Sequence, residues 1–235
     1  MADQRRVLQV FEPDGGGFRY KASFSVTGIT PSSLCFLGDT LYAVGLADSD
    51  GGLVWAFDRS GRLLKRFGGL YRARNPLFDR QVSNGRIACD PKHQQVIFSP
   101  RGMFGEVRAY GSDGVARWRV VVTDFKPVHI RERPDRGMEV VLPIRGFHRL
   151  HSLNVLPTGD VVAQFDSVAS DTPRPEGEFA KLYSIVLRGS DGALEVGLVS
   201  TRPILAAGRD ALFSMESEPV PHVSGWRVSN WRTRR

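Results

Sequence analysis

The chain has 235 residues, enough for one large domain or two small ones. Hydrophobic residues make up 41% and charged residues 24%, which excludes a disordered or fibrous chain and suits a globular protein with a sizeable core. The formal charge is +7, from 32 Lys and Arg against 25 Asp and Glu. No stretch approaches about 18 consecutive apolar residues, so no membrane span is expected. No apolar core of roughly 7–15 residues follows Arg5-Arg6, so no leader is visible. The expected location is cytoplasmic for the sequence as it stands, and periplasmic or secreted if a leader was removed.

The chain opens with a predicted hairpin, strands 7–11 and 18–26 around the turn 12–17. Its three successive glycines, Gly15-Gly16-Gly17, tolerate positive φ without steric cost. The stretch 34–68, LCFLGDTLYAVGLADSDGGLVWAFDRSGRLLKRFG, then sets the pattern for the whole chain. It reads as strands 34–37, 40–46, 53–58 and 62–67 separated by Gly/Asp/Ser turns, an antiparallel meander. In the third strand Leu53, Trp55 and Phe57 alternate with Val54, Ala56 and Asp58, so both faces are mostly apolar. A meander of that kind must be covered on both sides, as it is where sheets pack radially around an axis.

After the Arg-rich connection 70–81, a second unit repeats the first with strands 86–89, 94–99, 106–110 and 115–122. Aligning WAFDRSGRLLKRF with RAYGSDGVARWRV places Gly61 opposite Gly114, 53 residues on. Residues 124–145 are ambiguous: short strands 128–130 and 138–142 around the turn 133–137 form either a degenerate unit or a long crossing. A third unit carries strands 149–156, 161–166, 181–188 and 193–199, with a long polar loop at 167–179. The tetrapeptide GSDG stands at 111–114 and again at 189–192, in the same place in two units. The end of the chain, 204–230, reads as a unit lacking its last strand, which the N-terminal hairpin can supply. Joining the two ends in that way would remove free sheet edges.

No run of ten or more residues has helical apolar spacing, and Gly and Pro recur throughout. Four-strand repeats of roughly 40–50 residues predict an all-β protein, a β-propeller of four-stranded antiparallel blades closed by its terminal strands. A two-sheet sandwich also accounts for short, evenly spaced strands, but not for the repeated unit. The expected organisation is a single propeller domain over 1–235, with clear blades at 29–69, 82–122 and 147–199. A composite blade would join 200–230 with 7–26, and 124–145 would be a short doubtful blade. Cys35 and Cys89 each lie in the first strand of a unit. Neighbouring blades could bring them close, but no disulfide is implied, and buried free thiols are the expectation for single cysteines in apolar runs.

VWAFDRSGRLLKRFG, VRAYGSDGVARWRV and LYSIVLRGSDGALEVG resemble the outer hairpin of NHL-type and TolB-like six-bladed propellers. LCFLGDTLYAVG and SLNVLPTGDVVAQF are similar to the inner pair of such blades. The resemblance covers most of the chain at the level of single blades and implies a propeller. It departs from the family in blade number, with four or five units here and not six. WD40 propellers fit less well, since no Gly-His…Trp-Asp pair is present.

Propeller sites lie where inner strands and loops converge on the central channel. The densest polar cluster there is 145–152, RGFHRLHS. Arg101, Arg145 and Arg149, with His148 or His151, form a candidate site for an anionic ligand through charge-assisted hydrogen bonds; solvated loop arginines are the plainer alternative. No cofactor is predicted. A divalent metal is the alternative, and the resemblance implies that lyases and lactonases of related propellers hold one in the channel; His129, His148, His151 and Asn154 would be its ligands. His148 and His151 differ by three, however, and so point to opposite faces of a strand. No G-x-S-x-G stands in the chain, and no Lys-Ser/Thr follows the three glycines. Residues 226–235 carry Trp226 and Trp231 among four arginines, a possible surface for nucleobases. Packing of closing-strand aromatics is their plainer role, so a nucleic-acid partner is not expected. The leading functional reading is a binding or scaffolding propeller that recognises a protein or a small ligand, an anionic one suiting the arginines, at the channel mouth. A metal-dependent hydrolase or lyase, lactonase-like, is the alternative.

Overall fold

The structure, a computed structural model, describes residues 6–47, 51–73, 78–133, 137–141, 146–168, 182–200, 203–208, 211–216 and 222–227. They are almost wholly β. A hairpin of β1 (Val7–Asp14) and β2 (Gly17–Ser25) opens the chain. Three four-stranded antiparallel meanders follow in the order of the chain. The first is β3 (Ile29–Leu37), β4 (Thr40–Ala47), β5 (Val54–Phe57) and β6 (Leu63–Phe67). A four-residue helix, α1 (Asp79–Val82), lies in the connection to the second, formed by β7 (Gly85–Asp90), β8 (Gln95–Pro100), β9 (Glu106–Gly111) and β10 (Ala116–Val121). The ambiguous stretch is a two-stranded hairpin, β11 (His129–Arg133) and β12 (Gly137–Val141). The third meander is β13 (Phe147–Val155), β14 (Val161–Val168), β15 (Leu182–Leu187) and β16 (Leu194–Ser200). A three-stranded sheet of β17 (Ala206–Ala207), β18 (Ala211–Glu216) and β19 (His222–Arg227) ends the described chain.

The sheets stack face to face like blades, and strand periodicity explains why. All four residues of β5 are buried. Trp55 and Phe57 pack with Leu8, Val26 and Ile29 beside the N-terminal hairpin, whereas Val54 and Ala56 pack with Ile87, Val96 and Phe98 of the second blade. In β8, Val96 and Phe98 face the first blade while Ile97 joins Leu150, Val161 and Phe165 of the third. In β14, Val161, Ala163 and Phe165 turn towards the second blade, and Val162 meets Ile204 and Leu212 of the terminal sheet. Each of these buried large side chains stabilises the fold by about 1.5–3 kcal/mol.

The first strands of successive sheets lie side by side, β3 against β7, β7 against β13, and β13 against β17. This is the arrangement of inner strands about a propeller axis. Ser33 of β3 bridges to β7, its Oγ accepting from Ile87 N at 3.1 Å. The outer hairpins turn through Gly61, Gly114 and Gly192, with φ of 86°, 88° and 74°. Each glycine abuts a ring of the preceding element: Phe24, Phe67 and Trp118 respectively. The spacing that links the three glycines in the sequence is therefore a packing requirement, because a Cβ would meet those rings at about 3 Å or less.

One expectation is altered. Cys35 and Cys89 are joined as a disulfide, with Cα atoms 5.6 Å apart. They are not free thiols, because the two inner strands that carry them are neighbours. The N-terminal hairpin forms a sheet of its own and packs on the first blade; among the described strands it pairs with none of the terminal sheet.

The disulfide closes a loop of 54 residues, for which chain entropy gives about 4 kcal/mol of stabilisation. Reduction, or Cys35→Ala with Cys89→Ala, should lower the denaturant-derived stability by about that amount. Maleimide should label the denatured protein only after reduction; labelling without reductant would mean that the crosslink is absent.

Candidate functional site

The ends of β7, β8 and β13 are tied together at one mouth of the channel. Arg101, just past β8, donates its backbone N–H to Asn84 O at 3.0 Å and accepts from Leu150 N at 2.7 Å. Asn84 in turn accepts from Ser32 Oγ at 2.7 Å, which brings in the bulged start of β3. These backbone links gather Arg86 of β7, Arg101, and Arg149 and His151 of β13 within one electrostatic field. The guanidinium pKa of Arg86 is pulled down, first by burial and then by Arg101 and Arg149. Among the described residues, neither Arg86 nor Arg101 has a carboxylate partner.

One buried acid faces this group. Asp166 of β14 stands directly across the ladder from Arg149 and is 3% exposed. Arg149 Nη2 donates to its Oδ2 at 2.7 Å. The other oxygen, Oδ1, is buried without a hydrogen-bond partner, a costly arrangement for a carboxylate. Beneath it lies a buried polar belt. Gln164 Oε1 accepts from Ser152 Oγ at 3.1 Å and from Ile204 N at 2.6 Å, and its Nε2 donates to Ser184 Oγ at 2.9 Å.

His151 is held towards its neutral form. Burial lowers its pKa most, Arg86 and Arg149 lower it further, and Asp166 opposes them. His148 has a separate setting on the other face of β13. Its Nδ1 accepts from Lys126 N at 3.2 Å, and its ring lies against Phe125 and Tyr183. Its pKa is also lowered, by burial and then by Lys126, against Asp166 and Asp124.

Of the residues singled out in the sequence, Arg101, Arg149 and His151 come together, and His148 stands apart. Arg145 lies outside the described residues. His129 is exposed on β11, and Asn154 Nδ2 donates towards Ile204 O at 3.5 Å, facing the terminal sheet. Among the described residues no three His, Cys, Asp or Glu side chains are grouped to hold a metal ion. The arginine-rich end of the chain, from 228 on, is outside the described residues, and no described helix is long and apolar enough to cross a membrane. Sequence reasoning missed Arg86 and Asp166. Asp166 faces Arg149 only through the irregular register between Leu150 and Ser152, which the turn at 157–160 does not reveal.

Both histidines resist protonation in the fold, whereas in the unfolded chain they take a proton near the ordinary value of 6.5. Their stabilising contribution is therefore complete above that pH and declines as pH falls below it. Between pH 7.5 and 5.5 the unfolding midpoint should fall. The loss is tempered by solvent, since both histidines are only half-buried. The double variant His148→Gln/His151→Gln should show a shallower fall, and parallel pH profiles would contradict the assignment.

No family model and no curated protein matches the chain, so the kinship with NHL-type and TolB-like propellers stays a resemblance. Among solved structures the chain is similar to a candidate 6-phosphogluconolactonase from Bacteroides fragilis NCTC 9343. The two share 15% identity at a TM-score of 0.41, over 92% of this chain and 71% of that one. The likeness is one of coarse architecture and carries no function over.

Proposed function

We propose that this protein binds a small organic anion, a carboxylate or phosphate ester, at the channel mouth formed by Arg86, Arg101, Arg149 and His151. The observation that carries this reading is a cluster of three arginines of which only Arg149 has a carboxylate partner among the described residues. Like charges held together by the backbone cost stability, and a bound anion would offset that cost. Guanidinium groups suit such a ligand because they stay charged and present paired donors to carboxylate or phosphate. Arg149, fixed by Asp166, would set the position of the ligand, with Arg86 and Arg101 closing on it.

A hydrolase or lyase acting on such an anion is the second reading, favoured by one feature. His151, held neutral beside the arginines and near a carboxylate with an unpaired oxygen, has the character of a general base. The Cys35–Cys89 bond suits an oxidising compartment better than the cytoplasm.

Calorimetric titration with citrate and with inorganic phosphate at low salt tests the binding reading. Arg86→Ala and Arg101→Ala should each weaken binding about tenfold, roughly 1.4 kcal/mol. The unfolding temperature of Arg101→Ala should not fall, because relief of repulsion compensates the lost contacts. Arg149→Ala should destabilise by about 2 kcal/mol, since it strands the Asp166 carboxylate. Unchanged anion affinity in the Arg86→Ala/Arg101→Ala double variant would overturn the proposal. Turnover of a hydroxy-acid lactone that is lost in His151→Gln would favour the enzymatic reading.

A further inference from the structure

The interface between the second and third blades is not filled to its edge. One face of the third blade presents His148 of β13, Phe165 of β14, Tyr183 and Ile185 of β15, and Gly197 of β16. The segment from Val122 to Lys126 arches over that face from the end of β10, and between them lies a cavity of about 390 Å³. Ligand pockets run from roughly 300 to 1,000 Å³. The walls are aromatic: Phe125 lies 5.7 Å from both the His148 and Phe165 rings, and His148 lies 5.6 Å from Tyr183.

Two features point to an occupant. The first is Gly197, in the middle of β16 and paired with Ile185. A Cβ built there meets nothing within 4 Å, so neither crowding nor backbone conformation requires glycine. A glycine inside a strand weakens it and marks a place where a ligand or another backbone approaches closely. The second is His148. Because Nδ1 accepts from Lys126 N, the proton of the neutral ring is on Nε2. Among the described residues that donor has no acceptor.

We propose that this cavity is a second binding site, distinct from the arginine cluster, for a flat aromatic molecule carrying a hydrogen-bond acceptor. The ring lies between Phe125, Phe165 and Tyr183 over the bare backbone of Gly197, and the acceptor takes the His148 Nε2–H. A carboxylate is the acceptor best served, with the Lys126 ammonium at the same pocket; Asp124, which also lines it, favours ligands whose anionic group stays on the His148 side.

The test uses 2-naphthoate as probe, followed by its fluorescence and by calorimetry on the full chain, with cyclohexanecarboxylate as the non-aromatic control. Binding should be at least about tenfold tighter for naphthoate, about 1.4 kcal/mol, reflecting aromatic stacking. His148→Ala should weaken it about tenfold, the value of one hydrogen bond to a charged group, and His148→Gln, which keeps a donor, should recover part of it. Gly197→Phe should abolish binding while leaving the unfolding temperature unchanged or higher, because an aromatic residue favours the strand and fills open space. Arg86→Ala/Arg101→Ala should leave naphthoate affinity as it is, which separates this site from the channel mouth. Naphthoate affinity that is unchanged by both His148→Ala and Gly197→Phe, or lost with the arginines, would overturn the proposal.

Discussion

Every blade here depends on being buried from both sides. A four-residue strand such as β5 has one side chain in two pointing each way, and both sets are apolar: Trp55 and Phe57 to one neighbour, Val54 and Ala56 to the other. Exposing either face would return several large side chains to water at about 1.5–3 kcal/mol each. No single meander can therefore stand alone, and stability is shared through the interfaces between successive sheets. The same alternation runs through β8 and β14, so the architecture follows from a period of two combined with hydrophobic residues at both phases.

Radial packing of this kind leaves one edge of each sheet, its inner strand, without a backbone ladder to the next. The contacts that replace the ladder are core packing, single hydrogen bonds and one disulfide. Ser33 bonds the backbone of Ile87, Leu150 donates to Arg101 O, and the Cys35–Cys89 bond crosses between β3 and β7. At the channel mouth the backbone of Arg101 is tied to Asn84 and Leu150, while the Arg86 and Arg101 side chains have no carboxylate partner among the described residues. Charged residues placed there are held by the rigid blades behind them. Interblade packing supplies the stability against which the repulsion among Arg86, Arg101 and Arg149 is set.

Much of the architecture was legible because the repeat writes itself into turns. Gly61, Gly114 and Gly192 recur for one physical reason, close contact with the preceding ring at positive φ, and a reader who aligns them recovers the blades. The disulfide was not legible as a bond: two cysteines in first strands show only that they are equivalent, and only the lateral neighbourhood of β3 and β7 makes them partners. The site was half legible. Arg101, Arg149 and His151 stand in polar stretches that flank strands and attract notice. Arg86 looks like any strand-edge arginine, and Asp166 hides at the end of an apolar run, where its meaning depends on register with Arg149. Gly197 carries no signal in a sequence already rich in glycine, because the empty space over it is made by residues from β10 to β15.

Strand β13 serves two environments at once. Arg149 and His151 share the field of Asp166 and Arg86, whereas His148 and Leu150 turn to the second blade, where one meets Phe125 and the other enters the core. Pairing with β14 enforces this division, since His148 opposes Ser167 while Arg149 opposes Asp166. Beyond Leu150, which is anchored in the core, the ladder is irregular up to Ser152, and His151 lies at that irregularity. The channel mouth and the interblade cavity lie one residue apart on β13 and differ in chemistry, arginines at one and a ring-lined histidine at the other, while the charge of Asp166 reaches both histidines. His148 and Arg149 stand on opposite faces of β13, so one strand can serve two ligands of unlike chemistry.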